Sequence, residues 1–128
     1  MKIFTASQLH ELDQYTIENE PVKSIDLMER AAKALTAAIM EEWTEHTPVV
    51  VLAGPGNNGG DALAVARMLA LANYKVSVYL FNIHNHLSED CSVNKQRLID
   101  IKRVQFTEIT LNFEPPELQP GTLVVDGS

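Results

Sequence analysis

The sequence has no basic run, a single cysteine and no long apolar stretch, and each absence removes a class of function. Lys and Arg number 10 against 17 Asp and Glu, for a formal charge of −7. The densest basic segment, Lys95 to Arg103, has Asp100 inside it. Non-specific nucleic-acid binding needs clustered Lys and Arg, so a nucleic-acid partner is not expected. Cys91 alone builds neither a disulfide framework nor a cysteine metal cluster, and its place on an apolar helix face makes it a core thiol. No segment approaches the ~18 consecutive apolar residues of a membrane span. The first eight residues lack the apolar core of a signal peptide. The expectation is a cytoplasmic chain with no membrane partner.

What is present is one domain's worth of ordinary globular sequence: 128 residues, 45% apolar and 21% charged, read as a single domain over 1–128. Its organising stretch is Val49 to Leu69. An apolar run, Val49 to Ala53, breaks into Gly54-Pro55-Gly56-Asn57-Asn58-Gly59-Gly60-Asp61 and then into a helix that is apolar nearly all round. That order predicts strand, glycine loop and helix. The glycines are expected to supply positive φ and close approach to a ligand. The helix N-terminus directs its free N–H groups and positive dipole end at the loop, as an anion or nucleotide site requires.

Around this stretch the chain reads as follows. Thr5 and Gln8 fit a capping box for a first helix over 6–18, which Pro21 interrupts. Ser24 is the next N-cap candidate, opening a helix over 25–44 with Met28, Ala31, Leu35, Ala38, Ile39 and Trp43 on one face. After the strand at 49–53 come a buried helix over 61–72, a strand over 75–81, and a polar loop over 82–87. Ser88 caps a further helix. Val104 to Ile109 forms a weaker strand nearer an edge, 112–121 a proline-rich loop, and 122–125 a buried strand that ends at Asp126. Two helices followed by strands alternating with helices predict an α/β fold with a parallel sheet and right-handed crossovers. Asp126 falls at a strand's C-terminal tip, where such sheets place ligands. The chain stops at Ser128 with no helix over that strand, which reads as a fragment with an incomplete sheet.

Gly54-x-Gly56-x-x-Gly59 matches the dinucleotide fingerprint in the right context. The partner of that fingerprint, an acid at the tip of the next strand to hold a ribose, is missing, because Asn82 stands there. No Lys-Ser/Thr follows the glycines, so the loop is not a nucleoside-triphosphate P-loop. Asn57, Asn58 and Asp61 add oxygen groups that hydride transfer does not need and that a hard cation accepts. The plainer alternative is that Asn58 or Gly59 caps the helix and Asp61 complements its dipole. His84 and His86 lack a carboxylate or cysteine partner and are read as loop residues. Tyr79 and Phe81 are read as core, and Arg67, the one charge on a buried helix, needs a partner.

Gly-Pro-Gly-Asn-Asn-Gly-Gly-Asp with its Ala-rich helix closely resembles the YjeF N-terminal domain family, the NAD(P)H-hydrate epimerases. Leu27-Met28-Glu29-Arg30-Ala31-Ala32 and Val124-Val125-Asp126-Gly127 resemble two further segments of that family, although Ala62 stands where the family usually has Gly. The resemblance implies a Rossmann-like three-layer α/β/α fold with two N-terminal helices packed on the sheet. It implies interconversion of the R and S epimers of hydrated NADH and NADPH. Asn57, Asn58, Gly59, Gly60 and Asp61 would contact that substrate, and Asn58 and Asp126 would hold a potassium ion. Asp61 and Asp126 are the candidates for proton transfer. A homo-oligomer and a fused or separate ADP- or ATP-dependent dehydratase are the expected partners. The rival reading is a non-catalytic interaction or dimerisation module of the same fold.

Overall fold

The computed structural model describes residues 3–4, as a backbone pairing, and residues 22–128. The first expected helix, over 6–18, lies outside the described residues. The elements are β1 (Ile3–Phe4), α1 (Ser24–Glu42), β2 (Val49–Ala53), α2 (Asn57–Leu71), β3 (Val76–Phe81), α3 (Glu89–Ile101), β4 (Gln105–Ile109) and β5 (Leu123–Gly127). The five strands form one parallel sheet in the order β1-β5-β2-β3-β4. The fold is α/β, as the alternation of elements predicts, and β4 lies at an edge. β1 was not foreseen, since two residues are too few to show a period.

The strand order fixes the layers. β2 to β3 to β4 are two successive steps in one direction, so right-handed crossovers put α2 and α3 on the same face. Val49, Val51, Ala53, Val76, Val78, Leu80, Leu123 and Val125 point to that face and join Ala32, Leu35 and Ile39 of α1 and Leu98 of α3 in one core. The step from β4 to β5 runs back across the sheet, so its connection must cross the opposite face. There Phe113, Pro115, Pro116 and Leu118 lie over Val50, Leu52 and Val124 around an apolar cavity of about 200 Å³. Phe113 also meets the edge of Phe81 at 4.9 Å and the ring of Tyr79 at 5.6 Å. Those two aromatics are therefore half-buried packing, away from the helical core.

Three boundaries move, each for a local reason. α1 starts at Ser24, with Lys23 as its cap and the Lys23 carbonyl accepting from the N–H groups of Asp26 and Leu27, both at 3.0 Å. Ser24 is thus the first helical residue and caps nothing. Ala38 is exposed, and Leu27, Ala32 and Thr36 are buried in its stead. α2 starts four residues before the expected Asp61, because backbone packing against the strands outweighs the low helix propensity of Asn and Gly. β5 extends to Gly127 and takes Asp126 into its register, opposite Leu52 of β2. No described helix is long and apolar enough to cross a membrane.

The edge strand β4 is fastened by a carboxylate. Glu108 accepts from Lys95 Nζ on α3 at 2.6 Å and from Asn82 Nδ2 at the end of β3 at 2.8 Å. The Asn82 hydrogen bond, then that of Lys95, hold the Glu108 carboxyl below the usual glutamate range, against the opposing effect of partial burial. A carboxyl lowered on folding stabilises above its unfolded pKa and loses that contribution as pH falls through the folded value. Urea-denaturation midpoints of wild type and Glu108→Gln should therefore differ most near neutral pH and converge on acidification. A gap independent of pH would mean that the charge does not anchor β4.

Candidate functional site

The site is made where main chains touch. Gly54, just past β2, donates its N–H to the Gly127 carbonyl at the end of β5 at 3.0 Å. A Cβ on Gly59 would overlap the Gly54 carbonyl oxygen, so the first turn of α2 sits directly on the end of β2. A Cβ on Gly127 would lie 2.8 Å from the Asn58 carbonyl oxygen and 2.5 Å from the Ala62 side chain. One on Gly60 would meet Met28 Sδ at 2.9 Å and Cys91 Cα at 3.3 Å. The reason for these glycines differs from the sequence expectation. Among the described glycines only Gly121 has a positive φ. Gly54, Gly59 and Gly60 serve closeness, letting β2, β5, α1 and α3 converge on the start of α2.

The motif residues are sorted by that packing. Asn57 is exposed, Asn58 half-exposed, and Gly59 and Gly60 buried. Gly56 caps α2 in an extended conformation without a side-chain bond, and its carbonyl accepts from Gly60 N–H at 3.1 Å. Neither Asn58 nor Gly59 is the cap. Asp61 is fully buried and Asp126 half-exposed. The two carboxylates proposed for proton transfer thus sit in unlike surroundings, and of the two only Asp126 faces solvent. Asp126 Oδ1 accepts from the Ser128 N–H at 3.0 Å and from Ser128 Oγ at 2.6 Å; neither bond uses Oδ2. Backbone contact between Gly127 and Asn58 brings the Asp126 strand tip against the start of α2.

The surroundings explain residues that seemed spare. Arg67 pairs with Glu29, which also lies 3.7 Å from Arg97, so one carboxylate ties α1 to α2 and α3. Cys91 is buried, and burial pushes its thiol up to about 11, with Lys95 opposing and Glu108 adding. It is an inert core thiol. His84 and His86 are exposed, and the described residues hold no group of three His, Cys, Asp or Glu able to bind a metal. Asn82 is buried at the tip of β3, where the fingerprint wanted an acid. The acid missed by sequence reasoning is Glu108 on the neighbouring strand. The alternation of Gln105 to Ile109 places its side chain beside α3, but only the sheet order shows it beside Asn82.

Donor chemistry suits a hard monovalent cation at the mouth of this site. An amide oxygen from Asn58 and a carboxylate oxygen from Asp126 are carried on segments in backbone contact, and such cations take oxygen ligands. The helix N-terminus beside them offers N–H groups to an anion. The site depends on the close approach at Gly59, and that dependence is measurable. Gly59→Ala should cost at least about 3 kcal/mol in chemical denaturation, since the clash is with backbone. Gly56→Ala, with nothing within 4 Å of the added carbon, should cost under about 1 kcal/mol. Equal costs would contradict the packing role.

Comparisons with known proteins agree with the geometry. The family model described as YjeF-related protein N-terminus matches residues 24–127. An NAD(P)H-hydrate epimerase of Rhodobacter capsulatus is 35% identical over 103 residues, covering 75% of this chain and 49% of its own length. One from Limosilactobacillus reuteri is 35% identical over 126 residues, covering 98% of this chain and 57% of its own. A bifunctional NAD(P)H-hydrate repair enzyme of Salinibacter ruber is 40% identical over 94 residues, covering 72% of this chain and 17% of its own. The chain thus spans about half the length of the single-function curated relatives it matches. The crystal structure of yeast ynu0 superposes with a TM-score of 0.57 at 24% identity, over 94% of this chain and 61% of that one, and supports the fold. With the family model covering most of its length and relatives above 30% identity across it, the chain belongs to the YjeF N-terminal family.

Proposed function

We propose that the protein is an NAD(P)H-hydrate epimerase, interconverting the R and S epimers of hydrated NADH and NADPH. The observation that carries this is the junction of β2, β5 and α2. It presents Asn57, Asn58 and a helix N-terminus on one side and the half-exposed Asp126 on the other. The names of the relatives support the substrate class. Asn57, Asn58 and the first-turn N–H groups of α2 ahead of Gly60 bind the dinucleotide, whose phosphates suit those donors, while Gly59 and Gly60 let that turn pack against β2 and α1. Asn58 and Asp126 would hold a potassium ion, which when bound would supply a fixed positive charge.

The reacting carbon of the hydrate carries a hydroxyl and is bonded to the ring nitrogen. A general acid protonates that hydroxyl, water leaves, and the nitrogen lone pair gives an iminium cation. Return of water to the opposite face, with the proton taken back, yields the other epimer. The chain must provide a group that gives and recovers a proton and surroundings that tolerate positive charge. Asp126 is accessible for this role. If it is committed to potassium, it fixes the site's geometry and leaves the proton to another group. Asp61, fully buried at the start of α2, supports the site from within. The same proposal carries a cytoplasmic homo-oligomer that feeds a fused or separate ADP- or ATP-dependent dehydratase.

The test is to incubate the full-length protein with one purified epimer of NADPH hydrate and follow the epimer ratio by chromatography. Acceleration over the uncatalysed rate is expected, larger in potassium than in sodium buffer. Asp126→Asn should lower the rate at least tenfold and remove the potassium preference. An unchanged rate would take Asp126 out of both roles. No acceleration and no nucleotide binding by the wild type would favour the interaction-module reading.

A further inference from the structure

The segment between β3 and α3 does more than join them. Asn82, buried at the tip of β3, is held by Glu108 through its Nδ2, and its Oδ1 accepts from the His86 N–H at 2.9 Å. The Asn82 carbonyl accepts from the Asn85 N–H at 3.2 Å, with Asn85 at φ 52 closing the turn. This turn delivers Ser88 to the glycine loop. The Ser88 N–H donates to the Pro55 carbonyl at 2.9 Å. Its Oγ accepts from the Cys91 N–H at 3.2 Å, capping α3, and donates to Asn57 Oδ1 at 2.8 Å.

That last bond has a directional consequence. Because the Cys91 N–H already uses the Ser88 oxygen as acceptor, the hydroxyl proton is free to point at Asn57. A hydroxyl proton given to Asn57 Oδ1 fixes the amide plane and turns its NH2 outward, on the exposed side of the first turn of α2. The loop then offers a side-chain donor beside the backbone donors of that turn, matched to phosphate oxygens. We infer that Ser88 is a positioning residue for the proposed substrate: it acts through Asn57, holding that amide with its donor face toward the dinucleotide. The inference rests on the proposal that Asn57 contacts the dinucleotide. It also gives Asn82 a purpose. At the strand tip where the dinucleotide fingerprint calls for a ribose-binding acid, this chain has an amide that anchors the turn carrying Ser88.

Four full-length proteins separate this role from helix capping: Ser88→Gly, Ser88→Thr, Asn57→Ala and the double variant. Glycine serves almost as well as serine at an N-cap, so Ser88→Gly should leave the melting temperature near wild type. It should raise KM for NADPH hydrate about fivefold to tenfold, the scale of one ordinary hydrogen bond, with little change in kcat. Ser88→Thr keeps the hydroxyl and should restore KM. In the Asn57→Ala background, Ser88→Gly should add nothing, since the cycle removes a residue that acts only through its partner. An Asn57→Ala protein with wild-type KM would overturn the contact itself and this inference with it. An impaired Asn57→Ala beside an unimpaired Ser88→Gly, or additive effects in the double variant, would overturn the positioning role alone.

Discussion

The packing of Gly59 on the Gly54 carbonyl is the constraint on which the rest of the site depends. No side chain fits between the end of β2 and the first turn of α2, so the two main chains are in contact. Everything near the mouth inherits its position from that contact. The Gly54 N–H is free to reach β5, Gly127 can rest on the Asn58 backbone, and Asp126 arrives beside the start of the helix. Gly60 extends the same logic sideways, letting Met28 of α1 and the start of α3 close in. A single methyl group at Gly59 would push the first turn of α2 off the end of β2, and with it the backbone that carries Asn57 and Asn58.

Close packing also explains how the start of a helix made of Asn-Asn-Gly-Gly-Asp survives. Its intrinsic propensity is poor, but Gly59 to Ala66 are all buried, and burial outweighs tenths of a kcal/mol of propensity per residue. Charged groups do the fastening at the rim. Glu29 joins the three helices through Arg67 and Arg97, and Glu108 joins β4 to α3 and to the tip of β3. The result is a backbone junction of β2, β5 and α2, flanked by a turn held by Asn82.

Much of this was legible in the sequence because the strands carry β-branched runs and the helices carry apolar faces. β2, β3 and β5, the buried α2, the Ser88 cap and the edge position of β4 all follow from local pattern, and the glycine loop with its family resemblance pointed to the site. What was not legible depends on contacts between distant segments. The purpose of the glycines needed the main-chain contacts at Gly54 and Gly127, so positive φ was the wrong expectation. The burial of Asp61 against the exposure of Asp126 depends on what covers each, which residue type does not reveal. Glu108 belongs to the tip of β3 only through sheet order, and β1 is too short to announce itself.

We propose that a dinucleotide hydrate binds where α2 begins and β5 ends. Amide chemical-shift mapping of the isotope-labelled protein titrated with NADPH hydrate in potassium buffer tests it most directly. Saturable shifts are expected at Asn57 to Gly60 and at Asp126 to Ser128, with Ser88 among the next affected. Shifts concentrated instead at the opposite end of the strands, around Lys75, Gln105 and Gln119, would contradict it.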